Sequence, residues 1–180
     1  MDKSIADSIE EFRNRKIYSA LDSATLRAIP DSDIEQAVID YVSTKLEGNY
    51  DREMQIVNGL APGTRALYLT WVVEGEVNNG GFNQYYYNTD GKFSEQATAA
   101  FEFFGAVEHA GLMREANAVR AAEEQRMAKY KDRGTLEAFS ESYQETNLGP
   151  LDDRFYQLKE DLSALRIARI RSSPEMFEGR

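Results

Sequence analysis

The chain contains no cysteine, and this absence excludes disulfide bonds, thiol catalysis and cysteine metal sites. One histidine, His109, excludes histidine-rich metal centres and leaves any Ser-His-Asp triad dependent on that residue. No apolar run approaches the roughly 18 residues of a membrane span, and the N-terminal residues MDKSIADSIEEFRNRK lack the apolar segment of a secretory signal. We therefore expect a cytoplasmic protein with no membrane span and no bound metal.

Catalytic signatures are also missing from the sequence. It has no phosphate-binding loop, dinucleotide fingerprint or nucleophile elbow, and no Glu-x-x-His pair that would suit a carboxylate metal site. Glu74 and Glu76 are two residues apart, so they do not face each other on a helix. His109, beside Glu108, is predicted to cap a helix C-terminus. We expect no enzymatic activity and no cofactor.

What the sequence has in excess is negative charge. It contains 31 acidic and 21 basic residues, which gives a net charge of −10 and an isoelectric point near 4.7. Such a chain is repelled by nucleic acid and anionic membranes and attracted to cationic partners. The plainer interpretation is that the acidity only keeps the protein in solution. With 180 residues, 42% of them hydrophobic, the chain suits one globular domain.

Helical spacing runs through the whole chain and predicts an all-α fold. From Pro62, which suits a first helical turn, the apolar residues wrap nearly all round, which is typical of a central buried helix. The sequence contains no two-residue alternation of apolar and polar residues that would indicate a strand. We predict a single-domain multi-helix bundle, with a helical extension over residues 1–30 and a helical domain over residues 31–180.

Other positions predict where individual helices begin, end and bury a face. Ser32 and Glu35 have the spacing of a capping box, and Gly48 stands where a helix C′ glycine belongs. Ser94 is predicted to cap a helix that stops near Gly111. One further helix is predicted to run from residue 151 to residue 171. The short helix before it is predicted to bury Leu136, Phe139 and Tyr143.

The most unusual stretch is EGEVNNGGFNQYYYN, from Glu74 to Asn88. Asparagine tolerates left-handed backbone and glycine adopts it at little cost, so the stretch predicts a Gly-Gly corner between two helices. The alternative is a small-ligand pocket that presents amides among tyrosines. The residues of this corner are Asn78, Asn79, Gly80, Gly81, Phe82, Gln84 and Tyr85.

Three segments together resemble the DNA-mimic-protein-like family of all-helical bacterial domains, roughly over residues 33–177. They are EGEVNNGGFNQYYYN, GKFSEQATAAFEFFGA and LDDRFYQLKEDLSALRIARIRSSPEMF. The family takes its name from a founding member whose acidic dimer surface imitates DNA and occupies a transcription factor. The resemblance implies a homodimer with a binding role. It also implies a cationic DNA-binding partner, such as a helix-turn-helix regulator.

Mimicry of DNA requires carboxylates gathered on one face. Duplex DNA as long as a compact domain of this size, about 40 Å, carries roughly 24 phosphates, far more than a net charge of −10. The first candidate row continues past Pro150 and consists of Glu137, Glu141, Glu145, Asp152 and Asp153. The second, sparser stripe consists of Asp33, Asp40 and Glu47. The alternative is a solvated face that lysines of a neighbouring helix neutralise.

Basic residues gather near the end of the last predicted helix. Arg166, Arg169 and Arg171 are expected to match the helix macrodipole there and to pair with Glu160 and Asp161. We do not expect them to bind nucleic acid, because the net charge opposes it.

Three functions therefore remain open. The protein could be an acidic mimic that occupies a DNA-binding regulator, a small-ligand-binding domain that uses the corner, or an immunity or adaptor protein that blocks a basic partner. A complex with a basic partner should weaken steeply with salt, whereas a tyrosine-lined pocket should respond little.

Overall fold

The computed structural model describes residues 5–179, so residues 1–4 and 180, the outer ends of the two predicted segments, lie outside the description. Within these residues the chain is all-α, as predicted, and its β-type pairing is one bridge between Leu21 and Gly179. The α-helices are α1 (Ile5–Asn14), α2 (Ser23–Ala28), α3 (Asp31–Leu46), α4 (Glu53–Asn58), α5 (Pro62–Thr89), α6 (Ser94–Phe104), α7 (Val107–Arg133), α8 (Leu136–Glu145), α9 (Gly149–Gln157) and α10 (Leu162–Ser172). Two 3₁₀ turns cover Tyr50–Arg52 and Pro174–Phe177. No helix in this part of the chain combines the length and apolar character needed to cross a membrane.

The core has two parts, and the central helix α5 belongs to both. Its first half packs with α3, and Leu67 and Val38 lie fully buried in the same cluster. Its second half packs with α6, α7 and α9, where Val77 and Phe82 are buried. The prediction of a central, mostly buried helix is confirmed. Trp71 is an exception, because 45% of it is exposed.

The two ends of the described chain meet in the first part of the core. Leu26, from before residue 30, lies in the same cluster as Phe177 near the C-terminus. Thr64 donates a hydrogen bond to the Phe177 carbonyl at 2.9 Å. Gly63 permits this approach, because a Cβ there would lie 2.7 Å from the Phe177 ring.

Helix α5 bends at the predicted Gly-Gly corner. Gly80 and Gly81 have non-helical backbone, and the chain is helical over residues 62–79 and again over 82–89. Gly81 has φ +70°, the left-handed region in which glycine is favoured. The corner turns the chain so that the buried aromatics Phe82, Tyr85 and Tyr86 enter the second part of the core.

Three predictions about helix ends meet different outcomes. Gly48 lies just past α3 with φ +77°, as expected of a C′ glycine. The capping box is wrong, because α3 begins at Asp31 after Pro30, and the Ser32 hydroxyl instead donates to Asp33. Ser94 is the first residue of α6 and makes no side-chain capping bond.

Two predicted helices are each broken in the structure. The helix predicted to reach Gly111 ends at Phe104, because Gly105 adopts φ +78° and α7 starts two residues later. The helix predicted over residues 151–171 stops at Gln157. It restarts at Leu162, where the Asp161 carboxylate caps the Ala164 N–H at 2.9 Å.

Helix α8 buries a different face from the predicted one. Leu136 is 81% exposed, and Ala138 and Ser142 are the buried residues. Phe139 is half-buried against Tyr87, with ring centroids 4.7 Å apart. The helix therefore packs through small side chains, which carry little hydrophobic signal in the sequence.

Candidate partner-binding surface

The corner leaves backbone groups without helical partners, and residues from two later helices satisfy them. The Tyr156 hydroxyl of α9 donates to the Val77 carbonyl at 2.8 Å, and the Tyr143 hydroxyl of α8 donates to the Gly80 carbonyl. The Phe82 N–H donates to the Asp152 carboxylate at 2.7 Å. The corner therefore holds α8 and α9 against α5 through the groups that a helix end normally leaves unpaired.

Amide side chains complete the corner. Asn83 donates to the Ser142 hydroxyl at 2.7 Å. Gln84 and Asn88 both donate to the same oxygen of Glu76, each at 2.8 Å. The bonds to Glu76 link the helical segments on the two sides of the bend, and the bond from Asn83 joins the second segment to α8.

The remaining predicted corner residues divide between surface and core. Asn78 and Asn79 are exposed, so their amides face solvent. Tyr85 is fully buried, and its hydroxyl has no hydrogen-bond partner among the described residues. The corner tyrosines therefore do not surround the exposed amides as the pocket interpretation requires. Asn79 and Gln84 do border an open cleft, but its aromatic wall is Trp71.

Three carboxylates around the corner have no cationic partner in residues 5–179. Glu76 accepts from two neutral amides, Asp152 accepts from a backbone N–H, and Asp153 is exposed. Burial raises the pKa of Asp152 above its ordinary value, although the Phe82 N–H opposes this, and the charge of Asp153 raises it further. In the described chain the acidic groups do not converge as metal ligands would.

Two tyrosines lie among these carboxylates. Burial and then the charge of Asp152 raise the pKa of both Tyr143 and Tyr156 above the ordinary tyrosine value. The two residues remain 37% and 53% exposed, respectively. We call the set formed by Glu76, Asp152, Asp153, Tyr143 and Tyr156 the corner surface. It combines uncompensated negative charge with exposed aromatic area, which is enriched at protein interfaces.

The predicted row on α8 is largely neutralised by the preceding helix. Glu141 pairs with Arg133, and Glu145 pairs with Lys129 at 3.1 Å, whereas Glu137 is exposed. The hydrogen bond from Arg133 lowers the pKa of Glu141. This is the outcome that the solvated-face alternative described. Asp152 and Asp153, placed in the same row from the sequence, lie instead at the corner.

The second predicted stripe does not form a row of surface charge. Asp33 and Glu47 are exposed, but Asp40 is 5% exposed and accepts from Nε and Nη2 of Arg15 at 2.5 and 2.7 Å. Gln36 also donates to Asp40 at 2.9 Å. Asp40 therefore ties the residues after α1 to α3 and presents little charge to a partner.

His109 lies at the start of α7, so the prediction that it caps a helix C-terminus is wrong. Glu160, from the segment between α9 and α10, accepts hydrogen bonds from the backbone N–H groups of Glu108 and His109 at 2.8 and 3.0 Å. It also contacts the His109 ring nitrogen at 2.7 Å. Burial raises the pKa of Glu160, but these hydrogen bonds outweigh it and leave the pKa below the ordinary value.

The arginines of α10 bind distant helices and not the predicted neighbours Glu160 and Asp161. Arg166 is 3% exposed and pairs with Glu74 at 2.6 Å and Glu35 at 3.3 Å. Arg169 donates to the Phe103 carbonyl, and Arg171 pairs with Asp31. Local spacing in the sequence gives no signal for these contacts, because the partners are far apart along the chain.

The corner surface lies in a part of the chain that matches a known protein family. Residues 58–173 match the profile of the DMP19-like protein family, and they span most of the chain from the end of α4 to α10. The chain belongs to the DMP19-like protein family. Every residue of the corner surface lies inside the matched segment. Comparisons with curated proteins and with solved structures gave no match.

Proposed function

We propose that this DMP19-like protein is a non-catalytic acidic binding protein that occupies the DNA-binding surface of a cationic protein, such as a transcriptional regulator. The observation that carries the proposal is the corner surface, where Glu76, Asp152 and Asp153 have no cationic partner in the described chain. A basic partner supplies the charges that these carboxylates lack. The family resemblance, which implies a DNA mimic, supports the same class of partner.

The structure favours the corner over the α8 row as the binding surface. Glu141 and Glu145 already have cationic partners on α7, so a basic partner would have to displace Arg133 and Lys129. At the corner no such exchange is required. Tyr143 and Tyr156 add exposed aromatic area, which supplies binding energy that charge alone does not.

The two other candidate functions make different predictions. A ligand pocket among the corner tyrosines finds little support, because Tyr85 is fully buried and Asn78 and Asn79 face solvent. An immunity or adaptor protein that blocks a basic toxin would use the same surface and the same charges. Only the identity of the partner separates that function from DNA mimicry.

Affinity capture with competition by DNA tests the proposal. The immobilised protein is exposed to lysate of its host at low salt, and retained proteins are released either by a salt ramp or by duplex DNA at constant salt. Two variants with the same change in net charge are compared, and the row variant is the control for the corner variant. The corner variant is Glu76→Gln with Asp153→Asn, and the row variant is Glu141→Gln with Glu145→Gln.

We expect one DNA-binding protein to be released at a sharp salt step and by duplex DNA, and to be lost from the corner variant but not from the row variant. Release by salt but not by DNA would assign the partner to the toxin or adaptor class. Retention of many unrelated cationic proteins, equally by both variants, would overturn the proposal. The homodimer that the resemblance implies remains a prediction, which sedimentation equilibrium tests.

A further inference from the structure

Trp71 is the only tryptophan in the sequence, and it stands exposed in the middle of the central helix. Its neighbours Thr70 and Val73 are buried, whereas 45% of Trp71 is exposed. One side of the indole is supported by Tyr68, with the ring centroids 6.5 Å apart and the planes 26° from parallel. A large aromatic side chain that is fixed in place and left open to solvent is characteristic of an anchor at a protein interface.

Two open clefts border Trp71. The first, of about 410 Å³, is bordered by Glu35, Glu74 and Arg166, and the second, of about 280 Å³, by Glu76 and Gln84. Gly75 borders both clefts, and a Cβ there would meet no atom within 4 Å. A side chain from outside can therefore reach the ring without displacing any residue.

The two clefts are negatively charged. Within residues 5–179, Glu35 and Glu74 share one cationic partner, Arg166, and Glu76 accepts from two amides and pairs with no cation. Three carboxylates and one guanidinium leave a formal charge of −2 around Trp71. This charge continues into the corner surface, because Glu76 belongs to both.

Arg166 already pairs with the two carboxylates of the first cleft. The residue is 3% exposed and borders the first cleft. Its Nε donates to Thr70 at 3.1 Å and its Nη1 to the two carboxylates, but its buried Nη2 has no partner in the described chain. Because this nitrogen is itself buried, a partner cannot reach it, and the carboxylate beside Trp71 that lacks a cation within residues 5–179 is that of Glu76.

We propose that Trp71 and the carboxylate of Glu76 receive an arginine side chain from the basic surface of the partner. The planar guanidinium stacks on the open indole face, and its N–H groups pair with the carboxylate of Glu76. Arginine fits better than lysine because it combines a stacking plane with a fork of donors. This assignment rests on the proposed function and names the residue type that the partner contributes.

The test uses Trp71 itself as the reporter, because excitation of tryptophan reads this one site. The probe is the peptide Ac-(Gly-Arg)₄-NH₂, compared with the same peptide in which lysine or the neutral isostere citrulline replaces arginine. The variants are Glu76→Gln and, as a control with the same change in net charge, Glu124→Gln, an exposed residue on α7. Circular dichroism melts verify that both variants are folded.

We expect the arginine peptide to change the Trp71 emission and to bind about fivefold or more tightly than the lysine peptide, and the citrulline peptide to bind weakest. Glu76→Gln should weaken binding more than Glu124→Gln. Calorimetry on Trp71→Leu, in which the stacking surface is lost, should show a similar loss. Equal binding of the three peptides, or equal effects of the two glutamine variants, would overturn the assignment.

This result is independent of the capture experiment. If the partner is captured and competed by DNA but the Trp71→Leu variant binds it normally, the arginine slot is wrong and the proposed function stands. If no DNA-binding protein is captured, the proposed function fails, whatever the peptide titration shows.

Discussion

The carboxylate of Asp152 occupies the space in which a side chain at position 81 would lie. A Cβ on Gly81 would come within 2.3 Å of one Asp152 oxygen, and the other oxygen accepts the Phe82 N–H at 2.7 Å. The absence of a side chain at Gly81 therefore lets an acidic residue from α9 cap the helix that follows the bend. The same residue contributes to the uncompensated charge of the corner surface.

Replacing Gly81 with alanine should destabilise the fold by about 2–4 kcal/mol, because it combines a left-handed backbone with a clash against Asp152. Chemical denaturation measures this as a lower midpoint with an unchanged m-value. Gly111→Ala is the matched control, since Gly111 lies inside α7 with no atom within 4 Å of a Cβ. It should stabilise the protein by roughly 0.5–1 kcal/mol. A loss at Gly81 no larger than about 0.5 kcal/mol would mean that the corner tolerates a side chain.

Replacing Asp152 should separate its role as an acceptor from its charge. The raised pKa means that the folded protein binds the Asp152 proton more tightly than the unfolded chain, so the ionised group opposes folding at neutral pH. Asp152→Asn keeps an acceptor for Phe82 and should be at least as stable as the wild type at pH 7. This advantage should shrink as the pH falls toward about 4, near the ordinary aspartate pKa.

Asp152→Ala is the companion variant. It leaves the Phe82 N–H without its acceptor and should cost about 1–3 kcal/mol at every pH. Urea denaturation of both variants from pH 4 to pH 7 provides the comparison. Equal losses for asparagine and alanine at pH 7 would show that the corner requires the negative charge.

Glu160 should behave in the opposite way with pH. Its pKa is lower in the folded protein, so its contribution to stability is present above the ordinary glutamate pKa and is lost as the pH falls through the folded value. Glu160→Gln should destabilise the protein by about 1–3 kcal/mol at pH 7 and reduce the loss of stability on acidification. Thermal unfolding between pH 3 and pH 7 measures both effects.

Glu137→Gln provides the comparison for Glu160, because Glu137 also lies beside the N-terminus of a helix, in the first turn of α8, but is exposed. Its replacement should change the stability by about 0.5 kcal/mol or less. If the two glutamine variants lose equal stability, the helix dipole and not the set of hydrogen bonds to Glu160 would account for the result.

The sequence could predict those features that depend on residues close together along the chain. The central helix after Pro62, the C′ position of Gly48 and the bend at Gly80 and Gly81 each follow from local residue type and spacing. The break at Gly105 was missed because apolar spacing continues across it, and the break before Leu162 has neither glycine nor proline. At the break before Leu162, the signal in the sequence is Asp161, a residue type that caps helices, three positions before Ala164.

The location of the candidate site could not be predicted in the same way. Whether a carboxylate carries free charge depends on which cation folding brings beside it, and Arg133 reaches Glu141 across the turn between two helices. By contrast, Glu76 lies beside amides from its own helix, and Asp152 lies beside a backbone N–H 70 positions away. The charge pattern along one helix therefore indicated a binding face on α8 that the fold largely neutralises.

The most direct test of the central claim is the salt dependence of the affinity for the captured regulator, measured with the wild type, the corner variant and the row variant. All three proteins are titrated by calorimetry at a series of salt concentrations. The account predicts that the corner variant binds about tenfold or more weakly with a shallower salt slope, and that the row variant stays within about threefold of the wild type. Equal weakening of the two variants, or a larger effect of the row variant, would contradict the assignment of partner binding to the corner surface.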